Sequence, residues 1–83
     1  MFVAIQHHIN DPDNFWKTAE SMNIPEGVKF HETRPSVDGT LCNCLWEADS
    51  VDTLKTWMES TFGAYSANEY YEVNASNSVG LPQ

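Results

Sequence analysis

Three histidines (His7, His8, His31) and two cysteines (Cys42, Cys44) are the side chains of this chain best suited to chemistry near neutral pH. Imidazole nitrogen and thiolate sulfur suit zinc, nickel or copper. On an extended strand the thiols of Cys42-x-Cys44 share one face at about 7 Å, close enough to share a metal after some bending and too far for an unstrained disulfide. His7 and His8 point to opposite faces of a strand, so they cannot chelate as a pair. A buried imidazole is equally a candidate base, able to take a proton from an acidic carbon or a phenol. The sequence contains no Cys-x-x-Cys and no His-x-x-x-His, and its glycines (Gly27, Gly39, Gly63, Gly80) are too scattered to cradle a phosphate. Free buried thiols and hydrogen-bonded or surface imidazoles remain the plain alternative to either chemistry.

These groups sit in 83 residues carrying twelve carboxylates and four cations (Lys17, Lys29, Arg34, Lys55), a net charge of -8. That balance opposes binding to nucleic acid or to an anionic bilayer. The longest apolar run, Met1 to Ile5, is far below the roughly 20 residues of a membrane span, and no basic segment precedes it as in a signal peptide. A cytoplasmic location is therefore expected. Two cysteines do not make a disulfide framework. The length predicts one domain over residues 1–74 with a polar C-terminal tail over 75–83. A domain this small buries only about 60 to 65% of its unfolded surface, which favours a partner subunit.

Local patterns give the elements that must position the candidate residues. Residues 2–9 are β-branched and aromatic, which predicts a strand. Asp11 then caps a helix with Pro12 at its first position, and Phe15, Trp16, Ala19 and Met22 form its apolar stripe. That helix should stop near Asn23, ahead of Pro25 and Gly27. Residues 28–33 and 40–48 read as a hairpin around Pro35 and Asp38-Gly39. Asp49 is the expected cap of a second helix with Val51, Leu54, Trp57, Met58 and Phe62 on its apolar side, closed by Gly63. Residues 69–73 make a fourth strand. The order βαββαβ predicts a ferredoxin-like α+β fold: a four-stranded antiparallel sheet with two helices on one face.

Two strands look apolar on both faces. The first carries Val3, Ile5 and Ile9 on one parity and Phe2 and Ala4 on the other; the third carries Leu41 and Leu45 against Cys42, Cys44, Trp46 and Ala48. Two helices cover one face only, so the other is expected to pack on a second copy, sheet against sheet, in a homodimer.

The two-sided strands and element order resemble the dimeric α+β barrel superfamily. The stretch Cys44-Leu45-Trp46-Glu47-Ala48, followed by residues 49–62, Gly63 and residues 69–73, is similar to a small uncharacterised ferredoxin-like family that includes nickel-binding members. That family often has a histidine in its second helix, where this chain has Trp57, Met58 and Glu59. A more distant branch resembles the cofactor-independent monooxygenases of antibiotic biosynthesis. The resemblance implies that Cys42, Cys44 and Trp46 face the space between sheet and partner. The same logic turns Gln6 and His8 inward, with Lys29, His31 and Thr33, while Val28 and Phe30 face the helices. A one-residue slip exchanges His8 for His7 and His31 for Glu32. The expectation is thus a homodimer whose pocket binds a small ligand, through Gln6, Cys42, Cys44, Trp46 and Tyr70, or a transition metal (nickel, zinc or copper), through His8, His31, Cys42 and Cys44. The alternatives are a cofactor-independent monooxygenase or isomerase acting on a small aromatic or carbonyl compound, with His8 or His31 as base, and a structural or regulatory dimer without ligand.

Overall fold

The computed structural model describes residues 1–82. The chain runs β1 (Phe2–Ile9), α1 (Pro12–Ser21), β2 (Lys29–Pro35), β3 (Leu41–Glu47), α2 (Val51–Phe62), β4 (Ser66–Glu72) and a 3-10 turn, Ala75–Asn77. All neighbouring strands are antiparallel, in the spatial order β2-β3-β1-β4. This is the ferredoxin-like α+β fold anticipated from the element order. No helix among the described residues is long and apolar enough to cross a membrane.

Local chemistry fixes the helix ends. The Asp11 carboxylate accepts the backbone N–H of Asn14 at 3.3 Å, and Pro12, which has no N–H to leave unpaired, takes the first helical position. On α2 the cap is Ser50 and not the expected Asp49: the Ser50 hydroxyl accepts the Thr53 N–H at 3.1 Å, while Asp49 lies one residue outside the helix. Gly63 ends α2 in ordinary right-handed geometry (φ −59°). Glycine is needed there because a Cβ would collide with the Glu59 carbonyl, not because the backbone is left-handed. Gly39 does need its left-handed φ of +76°, and its carbonyl accepts the Trp16 indole N–H at 3.3 Å, tying α1 to the β2–β3 turn.

The core lies between the helices and one sheet face: Val3, Ile5 and Ile9 of β1, Cys42, Cys44 and Trp46 of β3, then Phe15, Leu54, Met58 and Phe62. Register explains why the β3 residues belong here. Val3 lies opposite Trp46, Ile5 opposite Cys44 and His7 opposite Cys42. Residues directly across an antiparallel ladder share a face, so once Val3 and Ile5 meet the helices the thiols and the indole must do so too. The expectation that Cys42, Cys44 and Trp46 face outward is therefore corrected. In the sequence, β3 offered two apolar sets of similar merit, and only pairing chose between them.

A second correction comes from β2. Phe30 pairs with Trp46 and Glu32 with Leu45, which leaves His31 as the extra residue of a bulge. Strict alternation would have kept Lys29, His31 and Thr33 together. The bulge leaves His31 on the open face and turns Thr33 toward the helix side, beside the thiols. β4 also starts earlier than expected, at Ser66 in place of Glu69, and so brings Ser66 and Asn68 into the sheet.

Candidate functional site

Two polar clusters lie beneath the helices. The first centres on His7, which is 1% exposed although it belongs to the most apolar strand. Asn68 lies opposite it on β4, and His7 Nδ1 meets Asn68 Oδ1 at 2.6 Å. The same Oδ1 accepts the Ser66 hydroxyl at 2.7 Å, and the Asn68 NH2 donates to Glu59 Oε2 on α2 at 2.7 Å. Tyr70 donates its hydroxyl to that carboxylate oxygen as well. An amide with its NH2 committed to a carboxylate has only its carbonyl to offer, so His7 must donate through Nδ1–H. Burial holds the His7 pKa below its ordinary value; the Asn68 bond and the Glu59 charge oppose that shift without reversing it. His7 is therefore neutral at pH 7, with its proton on Nδ1. Burial and the Glu59 carboxylate push the Tyr70 phenol up, keeping it a donor.

The second cluster joins β2 to β3. Cys42 and Cys44 bring their sulfurs to 3.5 Å, and Thr33 Oγ1 lies 2.7 Å from Cys42 Sγ and 3.3 Å from Cys44 Sγ. The Cys44 thiol and the Thr33 hydroxyl bring the Cys42 pKa down to about 6 against the cost of burial, while the Cys44 thiol, giving its proton toward its neighbour, is pushed up. The two thiols therefore titrate as a pair, the first ionisation below the ordinary thiol range and the second above it. Beside Cys44 lies the Trp46 indole N–H, which is buried and has no nitrogen or oxygen acceptor among the described residues, the Cys44 sulfur being its polar neighbour.

Between the clusters is a cavity of about 50 Å³. Its walls are aromatic and thioether-rich: Phe15, Trp16, Met22, Phe30, Trp46, Met58 and Phe62, with His7, Thr33 and Cys44 supplying the heteroatoms. Ala19, Met22 and Phe30 at its edge are partly exposed and Thr33 more so, which places the mouth between α1 and β2.

The open face of the sheet carries the other expected residues. His8 is exposed, 3.7 Å from Glu69. His31 Nε2 lies 3.0 Å from Glu47 Oε1, its ring tilted against Phe2 at 5.4 Å, and this contact holds the Glu47 carboxyl below its usual range. Gln6 accepts from Asn43 at 3.1 Å. Tyr71 points outward here, whereas Tyr70 points to the helices. The four residues expected to share a metal are not together. Cys42 and Cys44 lie on one face and His8 and His31 on the other, the imidazoles near opposite ends of the sheet, about 20 Å apart by strand rise. Among the described residues no three His, Cys, Asp or Glu side chains converge as a metal cage. The residues missed from sequence are Asn68 and Glu59, and His7 entered only as the one-residue-slip alternative to His8. The available signal was parity: His7 falls in step with Val3 and Ile5, so a polar group was bound to enter the core and to need a partner there.

No protein-family model matches the chain, and no solved structure does. A protein of Acanthamoeba polyphaga mimivirus described as uncharacterized is 32% identical to it over 76 residues, covering 87% of this chain and 26% of the viral protein. The chain thus spans about a quarter of the length of the curated relative it matches.

Proposed function

We propose that this protein binds a small, mostly apolar molecule in the cavity between α1 and the sheet. The observation that carries this reading is the cavity itself, walled by aromatic and thioether side chains, with the buried His7 and the indole of Trp46 in its lining. Ligand pockets of this kind are aromatic-walled with a few fixed polar groups. The pocket is thus assigned to the helix side, beside Cys44 and Trp46, in place of the expected dimer side. Xenon, a probe small enough for a cavity of about 50 Å³, should quench Trp16 and Trp46 fluorescence and move the methyl NMR signals of Ala19, Met22 and Met58. Ala19→Phe, which fills the mouth, should abolish both responses. Unchanged signals under saturating xenon would overturn the reading.

A second reading concerns association, and charge favours it. By register the open face carries Glu32, Glu47 and Glu69 against Lys29 and Arg34, a balance of -1. Nine carboxylates and two cations remain elsewhere, a balance of -7 that makes the whole -8. Two copies therefore repel one another least across this face, which also offers Phe2, Leu45, Leu41 (43% exposed) and Tyr71 (58% exposed). We propose a two-fold dimer through it. Native mass spectrometry should find a dimer that Leu41→Asp with Tyr71→Asp converts to monomer; a monomeric parent would sink this reading and leave the cavity reading untouched.

A further inference from the structure

The thiol pair has no role in the cavity reading, and its surroundings are unusual for two core cysteines. Cys42 and Cys44 are 1% and 6% exposed, with their sulfurs 3.5 Å apart beneath the helices. Thr33 sets its hydroxyl oxygen against both, at 2.7 and 3.3 Å, and the Trp46 indole N–H lies beside Cys44 with no nitrogen or oxygen acceptor among the described residues. Neutral thiols are weak acceptors, so in the reduced pair that buried donor is poorly matched. Two sulfurs carrying negative charge would match the indole and the hydroxyl together. The route to the pair is soft as well: the cavity that reaches Cys44 is also lined by the thioethers of the partly exposed Met22 and the buried Met58.

We propose that Cys42 and Cys44 bind a soft d10 cation of single charge, of which copper(I) is the biological example, between their two sulfurs. Both thiol protons leave to solvent as the two metal–thiolate bonds form, and no oxidation state changes. Thiolate and thioether donors select such an ion. Zinc and nickel favour four ligands or more, and among the described residues no third His, Cys, Asp or Glu joins the pair; a two-coordinate ion needs none. Metal–sulfur bonds of about 2.3 Å set the sulfurs of a bent or linear S–M–S unit about 4.0–4.6 Å apart, so the pair has only to open slightly. A disulfide would have to close from 3.5 Å to about 2.05 Å between residues whose Cα atoms, two apart on a strand, are separated by about 6.7 Å, at the limit for a bridge. Insertion of an ion is the smaller distortion. The site is left with a charge of -1, which the Thr33 hydroxyl and the Trp46 N–H adjoin.

The probes are copper(I), supplied as its acetonitrile complex without oxygen, and zinc(II). Native mass spectrometry of the reduced full chain should find one copper per chain, and none in Cys42→Ala or Cys44→Ala; a parent that retains no copper would overturn the proposal. X-ray absorption at the copper edge should show sulfur neighbours alone, a result that needs no variant to fold; nitrogen neighbours would move the ion to a histidine and overturn it too. A Cys-x-Cys dithiol also captures copper(I) in an unfolded chain, so the decisive comparison is the urea midpoint. Copper(I) should raise it, because the folded chain presents both sulfurs together with Thr33 and Trp46 and should bind at least about tenfold more tightly than the unfolded one. A midpoint unchanged or lowered by copper(I), or raised equally by zinc(II), would sink the proposal. Xenon uptake tests the cavity without the ion, so either reading can fail alone.

Discussion

His7 and Asn68 stand directly opposite each other on β1 and β4, and their side chains meet at 2.6 Å beneath the helices. This bond lets a histidine occupy a core that is otherwise Val3, Ile5, Phe15 and Phe62. A buried polar group without such a partner is costly. Here the partner is itself held by Ser66 and Glu59, so three elements, β1, β4 and α2, share one network.

Stability should depend on pH through His7. Its pKa in the folded chain is lowered, so the unfolded chain takes up a proton first as pH falls. The sign follows directly: His7's stabilising contribution is full above about pH 6.5, the value of an unperturbed histidine, and declines as pH drops below it. Glu59 and Glu47, whose pKa values are also lowered, lose their contributions in the same direction but in the more acidic carboxylate range. Urea midpoints between pH 7 and pH 5 should fall, and the fall should be smaller in His7→Leu; a parallel curve for the variant would rule His7 out as its source.

Asn68→Ala removes the acceptor of His7 and the donor to Glu59 in one step. It should destabilise the fold by about 1–3 kcal/mol, the usual cost of leaving buried polar groups unpaired. Ser66→Ala removes only one of two donors to the same oxygen and should cost less. Chemical denaturation of the two variants, read as a change in midpoint at constant slope, checks the order.

The thiol pair should ionise in two separated steps. Thiolate ultraviolet absorbance should report a first ionisation of the pair below the ordinary thiol range and a second one above it. Thr33→Val deletes a hydroxyl 2.7 Å from the Cys42 sulfur and should raise that first midpoint. Cys44→Ala should raise it further, because the neighbouring thiol contributes most to the lowering. An unshifted midpoint in both variants would contradict this geometry.

Trp46 packs against Phe30 at 4.9 Å and Trp57 at 5.5 Å between ring centres, yet its indole N–H has no nitrogen or oxygen acceptor among the described residues. Trp46→Phe keeps an aromatic ring and removes that orphan, so it should cost well under the about 3–5 kcal/mol expected for Trp46→Ala. Calorimetric unfolding of both variants gives the comparison.

The sequence by itself determined the elements and their order. Pro12 after Asp11, the stripe from Phe15 to Met22, Asp38-Gly39 in the hairpin and Gly63 after Phe62 each act within a few residues, so local rules suffice for them. Tertiary structure alone decided which faces met. The β3 strand carries Leu41 and Leu45 on one side and Cys42, Cys44 and Trp46 on the other, and either set is apolar enough for a core. Pairing Ile5 with Cys44 and Val3 with Trp46 broke the tie. One inserted residue at His31 then changed the side on which Thr33 falls. The His7–Asn68–Glu59 network was beyond local reading for the same reason: its members are 61 and 9 residues apart in sequence. They meet only because β4 runs beside β1 and α2 folds back over both, which is a property of long-range pairing and carries no periodic signature in the chain.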